Sequence, residues 1–206
     1  MNIRMKSKIE FFYDCSSPWT YLAFVEVEKL VTRHKLDLIW KPILVGGIFN
    51  TINPSVYETR ANPVKAKQQY SNKDMKDWSD IRGIEINWPL IFPVNSVRAM
   101  RGAFYAIDKE KISEYNSKVF FAYWKEGKDI SKKEVLIEII LSLGFSTEAF
   151  FNFIELDSTK ELLKASTQEL VDRGGFGSPT IFLNKTNMFF GNDRLDLLEK
   201  ILKNYS

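Results

Sequence analysis

The tightest constraint on this chain lies in residues 9–23, where an apolar run passes into a helix start with no linker between them. Ile9 to Tyr13 is aromatic and of strand length. Ser17-Pro18 follows at once: serine caps helices, and proline is tolerated at the first helical position. Beyond it Leu22, Val25 and Leu30 can face a core, while Glu26, Lys29 and Arg33 form a polar stripe at helical spacing. A strand delivered straight into a helix N-terminus concentrates free N–H groups and the positive end of the dipole at one point. Such a point holds anions and lowers the pKa of a thiol. The only cysteine, Cys15, lies close by without a partner, so it cannot cycle through an internal disulfide. Ser17 taken alone is equally well a simple cap.

The rest of the chain falls into an ordered series. Leu36 to Ile43 alternates as a second strand, so the opening is β-α-β. Val45 to Asn50 and Asn53 to Ser55 read as loop, and Gly46-Gly47 lacks the spaced glycines of a nucleotide-binding fingerprint. From Pro63 the character is helical. Val64 to Ile81 is polar but helix-compatible, and Asn95-Ser96 can cap a helix through Met100, Phe104 and Ile107. Tyr115 to Trp124 is helical and aromatic. Lys133 to Leu143 is polar only at Glu134, Glu138 and Ser142 between its lysine and its end, which implies burial on most sides, and Gly144 can stop it. Ser146 starts a short helix, and Ser158 with Glu161 forms a capping box for a helix ending at Gly174-Gly175. Trp88-Pro89 and Phe92-Pro93 interrupt this block as an aromatic loop. Two short β runs, 180–183 and 187–190, flank the hairpin-like Asn184-Lys185-Thr186. Asn192-Asp193 then opens a last helix with Leu195, Leu198, Ile201 and Leu202 on one face.

Composition removes several function classes. A hydrophobic content of 45% supports a sizeable core, and the net charge of +3 is small. Basic and acidic residues are interleaved, with Lys6 and Lys8 isolated and Lys109 and Lys111 expected at ordinary solvated positions, so no basic arm argues for nucleic acid. No apolar run is long enough to span a bilayer. The positive stretch Met1 to Lys8 is not followed by a signal-peptide pattern, and with one cysteine the cytoplasm is the expected compartment. His34, the sole histidine, sits where it complements the C-terminal end of the first helix. Without a His or Cys cluster no transition-metal site is expected.

Ser17-Pro18-Trp19-Thr20 is similar to the Cys-x-x-Cys motif that thioredoxin-like oxidoreductases place at such a junction, with both sulfurs replaced by oxygen. The longer stretch Asp14-Cys15-Ser16-Ser17-Pro18-Trp19-Thr20-Tyr21-Leu22-Ala23 resembles the opening motif of 2-hydroxychromene-2-carboxylate isomerases and kappa-class glutathione transferases. Phe176-Gly177-Ser178-Pro179-Thr180 and Phe190-Gly191-Asn192-Asp193-Arg194-Leu195 resemble their closing motifs. The resemblance implies an α/β, thioredoxin-like fold with a large all-helical insertion, as in DsbA-like proteins. Residues 1–60 and 176–206 would form the discontinuous thioredoxin-like domain, and 61–175 the inserted helical domain.

It also implies glutathione as cofactor, with Ser17 the catalytic serine, hydrogen-bonded to the sulfur. Ser178 and a cis Pro179 would pair with the cysteinyl unit like an added strand; a trans proline opening an edge strand is the alternative. Gly191, Asn192, Asp193 and Arg194 would take the γ-glutamyl unit, or Asn192 and Asp193 would only cap the last helix. Asn53 and Asn62 are both candidates for a further glutathione contact. Where the family has a lysine after the second strand, this chain has Asn50. Trp19, Asn50, Trp88 and Phe92 would line the substrate pocket, the aromatics being equally able to serve as core.

The implied activity is glutathione-dependent isomerisation of the 2-hydroxychromene-2-carboxylate type, by reversible thiolate addition to a conjugated carbon. The alternatives are a kappa-like transferase acting on other electrophiles and a glutathione- or peptide-binding protein without turnover. A homodimer and a small aromatic or electrophilic substrate complete the expectation, with no nucleic-acid or membrane partner. Neither hydroxyl, Ser17 nor Thr20, can form the mixed disulfide that thiol exchange requires. The chain is therefore expected to leave the reduction of insulin by dithiothreitol at its uncatalysed rate. Turbidity that develops earlier than in a protein-free control would contradict the hydroxyl-for-thiol reading.

Overall fold

β1 (Lys8–Tyr13) shows little alternation in its sequence because both of its faces are covered. The computed structural model, which describes residues 7–204, sets it at the centre of a four-stranded sheet. Lys6 and the rest of residues 1–6, like residues 205 and 206, lie outside the described residues. β2 (Asp37–Pro42) runs parallel to β1 and β3 (Thr180–Leu183) antiparallel, with Phe11 opposite both Trp40 and Ile181. β4 (Asn187–Phe190) pairs antiparallel with β3, giving the order β2-β1-β3-β4. The two ends of the chain thus build one sheet. The turn between β3 and β4 takes left-handed φ values of 51° at Asn184 and 72° at Lys185.

α1 (Pro18–His34) crosses from β1 to β2. Its start is set by Ser17, in extended conformation, whose side chain accepts a hydrogen bond from the backbone of Thr20, and by proline in the first turn. The chain between β2 and β3 is helical. It runs through α2 (Val45–Thr51), α3 (Ser55–Ala61), α4 (Lys65–Arg82), α5 (Val97–Asp108) and α6 (Ile112–Phe120). A π-helical turn at Phe121–Lys125 continues α6, and α7 (Lys133–Ser142), α8 (Thr147–Glu155) and α9 (Asp157–Asp172) follow. α10 (Arg194–Asn204) closes the chain, burying Leu195, Leu198 and Leu202. His34, the last residue of α1, places Nε2 3.0 Å from Glu199 of α10.

Ile9, Phe11 and Tyr13 enter the main core, which continues from the sheet into α5–α8. Phe120 spans that join, 5.1 Å between ring centroids from both Tyr21 and Phe24. On the other face Phe12 and Phe182 pack with Ile43, Ile48 of α2 and Leu170 of α9. That second face also buries Glu10, whose carboxylate is held by Arg173 at 2.6 Å.

The sequence expectations fail in three places. The stretch read as loop after β2 is helical over α2 and α3. Its glycines hid a helix whose first N–H, that of Val45, is capped from far away by the carboxylate of Asp14 at 2.9 Å. Ser158 is not a cap: α8 and α9 are separated by Leu156 alone, so the helix already begins at Asp157. α7 buries Leu136, Ile139 and Ile140 but leaves Leu141 exposed, so it is covered on one face only. It stops where expected, at Gly144 with φ 75°. Asn192 and Asp193 form the turn directly before α10, where Asn192 O accepts from Leu195 N at 3.2 Å.

Gly102 of α5 lies at a tight helix crossing in the insertion. A Cβ there would lie 2.3 Å from the Tyr115 hydroxyl and 2.5 Å from the Phe150 ring, both in the core. Gly102→Ala is expected to overpack this crossing and cost about 1–3 kcal/mol. Denaturant unfolding checks it, and an unchanged midpoint would mean that α5 can shift away from α6 and α8.

Candidate active site

β1 ends and α1 begins within four residues, and hydrogen bonds fix the turn between them. Ser17 N donates to Asp14 O at 3.2 Å. Ser17 Oγ accepts from Thr20 N at 3.3 Å and donates to Ser178 O at 3.1 Å. The Thr20 hydroxyl, fully buried, lies 2.7 Å from Ser178 Oγ, which in turn accepts from Asp14 N at 2.9 Å. The Ser178–Pro179 peptide is cis. Both motif positions compared with sulfurs therefore carry hydroxyls bonded to one residue, the serine before the cis proline.

Asp14 is the residue whose role the sequence did not announce. It is 1% exposed, and its carboxylate accepts from Ser16 N and Val45 N, each at 2.9 Å, and from the Ser96 side chain. Those donors stand at or just before the first residues of α1, α2 and α5. Three helix N-termini thus converge on one carboxylate. Burial pushes the Asp14 carboxyl up from its ordinary value, against the pull of these hydrogen bonds.

The junction opens onto a cleft of about 740 Å³. Ser17, Trp19, Asn53, Trp88, Phe92 and Ser178 all line it. Trp88 and Phe92 are 54% and 37% exposed, so these two are cleft wall rather than core, packed edge to face 5.1 Å apart. Asn53 Nδ2 donates to Phe176 O at 3.3 Å. Asn62 ends α3 as an exposed residue and does not line the cleft. Asn50 is also exposed and off the cleft; its Oδ1 accepts from the Tyr57 hydroxyl at 2.8 Å, and its neighbour Phe49 takes the place on the wall.

Pro179, Gly191, Asn192, Asp193 and Arg194 form a second group beside the cleft, not in its lining. Gly191 N donates to Pro179 O at 3.1 Å. Asn192 is buried, its backbone O accepts from Arg82 at 3.4 Å, and its Oδ1 has no protein partner. Asp193 pairs with Arg194 at 3.1 Å. Cys15 is inert by position: it is 2% exposed, its carbonyl accepts from Trp124 Nε1 at 2.8 Å, and burial pushes its thiol well up.

Sequence reasoning missed Asp14 as a clamp and Phe49, Tyr57 and Arg60 as lining. Asp14, Phe176 and Phe190 stood inside the quoted motifs without an assigned role, whereas Phe49, Tyr57 and Arg60 fall in and just beyond the stretch read as loop, and nothing in their spacing pointed to a cleft.

A family model described as a DSBA-like thioredoxin domain matches residues 8–203. A 2-hydroxychromene-2-carboxylate isomerase of Pseudomonas sp. (strain C18) is 30% identical over 200 residues, covering 93% of this chain and 88% of its own. Human glutathione S-transferase kappa 1 is 25% identical over 207 residues, covering 94% and 90%. The solved structure of a 2-hydroxychromene-2-carboxylate isomerase superposes with a TM-score of 0.81 at 27% identity, over 96% of this chain and 95% of that one.

Asp14→Ala is expected to strand the N–H groups of Ser16 and Val45 and cost about 3 kcal/mol, or roughly 6–12 °C in Tm for a chain this long. Asp14→Asn keeps one acceptor oxygen and should lose less. Because the folded-state pKa of Asp14 is raised, the proton-linked part of its contribution is fully present below the unfolded carboxylate's pKa and is lost as pH rises through the raised value, leaving the hydrogen bonds to Ser16 and Val45 that the alanine variant removes. Thermal melts across acidic pH check both points; equal melting of wild type and Asp14→Ala would remove the clamp.

Proposed function

The chain belongs to the DsbA-like thioredoxin family, in the branch of the 2-hydroxychromene-2-carboxylate isomerases and kappa-class glutathione transferases, and on that basis we propose that it is a glutathione-dependent isomerase of the 2-hydroxychromene-2-carboxylate type. The observation that carries this reading is the pair of hydroxyls, Ser17 and Thr20, bonded to the residue before a cis proline at the start of a 17-residue helix that opens on an aromatic cleft. The donor set fits a thiol tripeptide: a hydroxyl and a helix N-terminus for a thiolate, and exposed aromatic faces for a planar partner. Glutathione bound there supplies the thiolate that adds reversibly to a conjugated carbon, so that the former double bond can rotate before elimination.

The chain's own residues do the rest. Ser17, whose hydroxyl donates to Ser178 O, would hold the sulfur by a charge-assisted bond that, with the helix dipole, would favour thiolate over thiol. Ser178 offers its backbone for strand-like pairing. Gly191, Asn192, Asp193 and Arg194 would hold the γ-glutamyl end, and the Asp193 carboxylate, paired here with Arg194, would take its ammonium group. Of the two candidate asparagines we assign Asn53, since it lies on the cleft wall. Trp19, Trp88 and Phe92 stack on the electrophile and shed water from it.

The discontinuous unit, 1–60 with 176–206, would thus hold the cofactor, and the helical unit, 61–175, would bring Trp88 and Phe92 to the substrate. A cytoplasmic setting, favoured by the single buried cysteine, and a homodimer, expected from the family, go with this reading. One observation favours a second reading, conjugation to other electrophiles: Asn50, at the position where the resemblance puts a lysine, is turned onto Tyr57. Glutathione is left unconsumed by isomerisation and depleted by conjugation, so its titration after turnover separates the two.

Ser17→Ala removes the donor that favours the charged form. It is expected to raise the pKa of bound glutathione by about one unit, equivalent to about 1.4 kcal/mol. Thiolate absorbance followed against pH measures this. An unchanged titration reduces Ser17 to a helix cap and removes the main support of the proposal.

A further inference from the structure

Two charged side chains line the cleft, Asp14 and Arg60. The Asp14 carboxylate is already met by Ser16 N, Val45 N and the Ser96 side chain, so it has little capacity left for a ligand. Arg60, in the last turn of α3, is different. Among the described residues it forms no ion pair, and its guanidinium rests over two rings of the cleft wall, 5.5 Å from the centroid of Phe49 and 5.3 Å from that of Phe92. These rings come from separate elements, α2 and the loop before α5, so the cation bridges the two sides of the cleft. A guanidinium stacked on rings keeps its in-plane N–H groups free, and its fork matches a carboxylate.

We infer that Arg60 is the specificity-determining residue that selects a carboxylate on the planar ligand of this cleft. The ring of such a ligand lies among Trp19, Trp88 and Phe92, while its carboxylate takes the N–H fork of Arg60. The inference deepens the proposed function and rests on it for the reaction served, but the binding preference stands apart from any thiol chemistry.

The test is calorimetric binding of trans-cinnamate and its neutral amide, cinnamide, to the full chain with no glutathione present. Wild type is expected to bind the acid about tenfold more tightly than the amide, a charge-assisted hydrogen bond being worth that much. Arg60→Gln is expected to bring the two affinities together by weakening the acid alone, and Arg60→Lys, which keeps the charge but loses the fork, to retain part of the preference. Three results would overturn the inference: no acid preference in wild type, a preference that survives Arg60→Gln, or equal weakening of acid and amide, which would make Arg60 a packing residue. A failed Ser17 titration, by contrast, would undo the glutathione reading and leave this binding result untouched.

Discussion

A buried carboxylate met by N–H and hydroxyl donors instead of a cation sets the geometry around the junction of β1 and α1. Asp14 gathers the starts of α1, α2 and α5 through the N–H groups of Ser16 and Val45 and the side chain of Ser96, and without it those two N–H groups would be unpaired in a place where water is scarce. A lysine or arginine partner would satisfy the charge but leave those donors without acceptors. The same residue is also tied through its backbone: its N–H reaches Ser178 Oγ, and Ser178 in turn meets Thr20 and Ser17. One short network therefore fixes the end of the central strand, the cis-proline loop and the mouth of the cleft relative to one another.

The helical segment is a wall of this site rather than an appendage to it. Tyr21 and Phe24 of α1 both pack on Phe120 of α6, and Trp124, just beyond, bonds the carbonyl of Cys15 in the junction itself. Trp88 and Phe92 pack in turn on Trp124, at centroid distances of 5.9 and 6.0 Å. A continuous line of rings thus runs from the main core to the cleft surface, so the position of the exposed aromatics is set by the buried ones.

What could be read from the sequence follows the range of the interactions. The strands, α1, the hairpin and most of the long helices announce themselves because their signals are local: Ser17 before Pro18, Gly144 after α7, an apolar face on α10. The Ser178–Pro179 bond is cis, as the motif likeness implies, and Trp19, Asn53, Trp88 and Phe92 line one cleft. α2 was illegible because its cap, Asp14, lies 31 residues upstream. Ser158 misled for a related reason, since the sharp joint at Leu156 starts α9 two residues before the capping pattern would. Asn50 lies in α2, a helix not seen in the sequence, where it meets Tyr57 off the cleft, and Asn62, just past α3, does not line it either.

The burial of Cys15 has a practical side. Its sulfur belongs to a chain with no other thiol, and the residue is buried at the end of the central strand, its backbone bonded to Met100 and Trp124. Alkylating and fluorescent maleimide reagents need a reachable thiolate, which this residue lacks on both counts of access and ionisation. The native sequence is in effect a silent background for site-directed labelling. A cysteine placed at any exposed position, on the α3–α4 side of the cleft for instance, would carry the dye alone, and distances across the cleft mouth could be followed in solution without first engineering the natural thiol away.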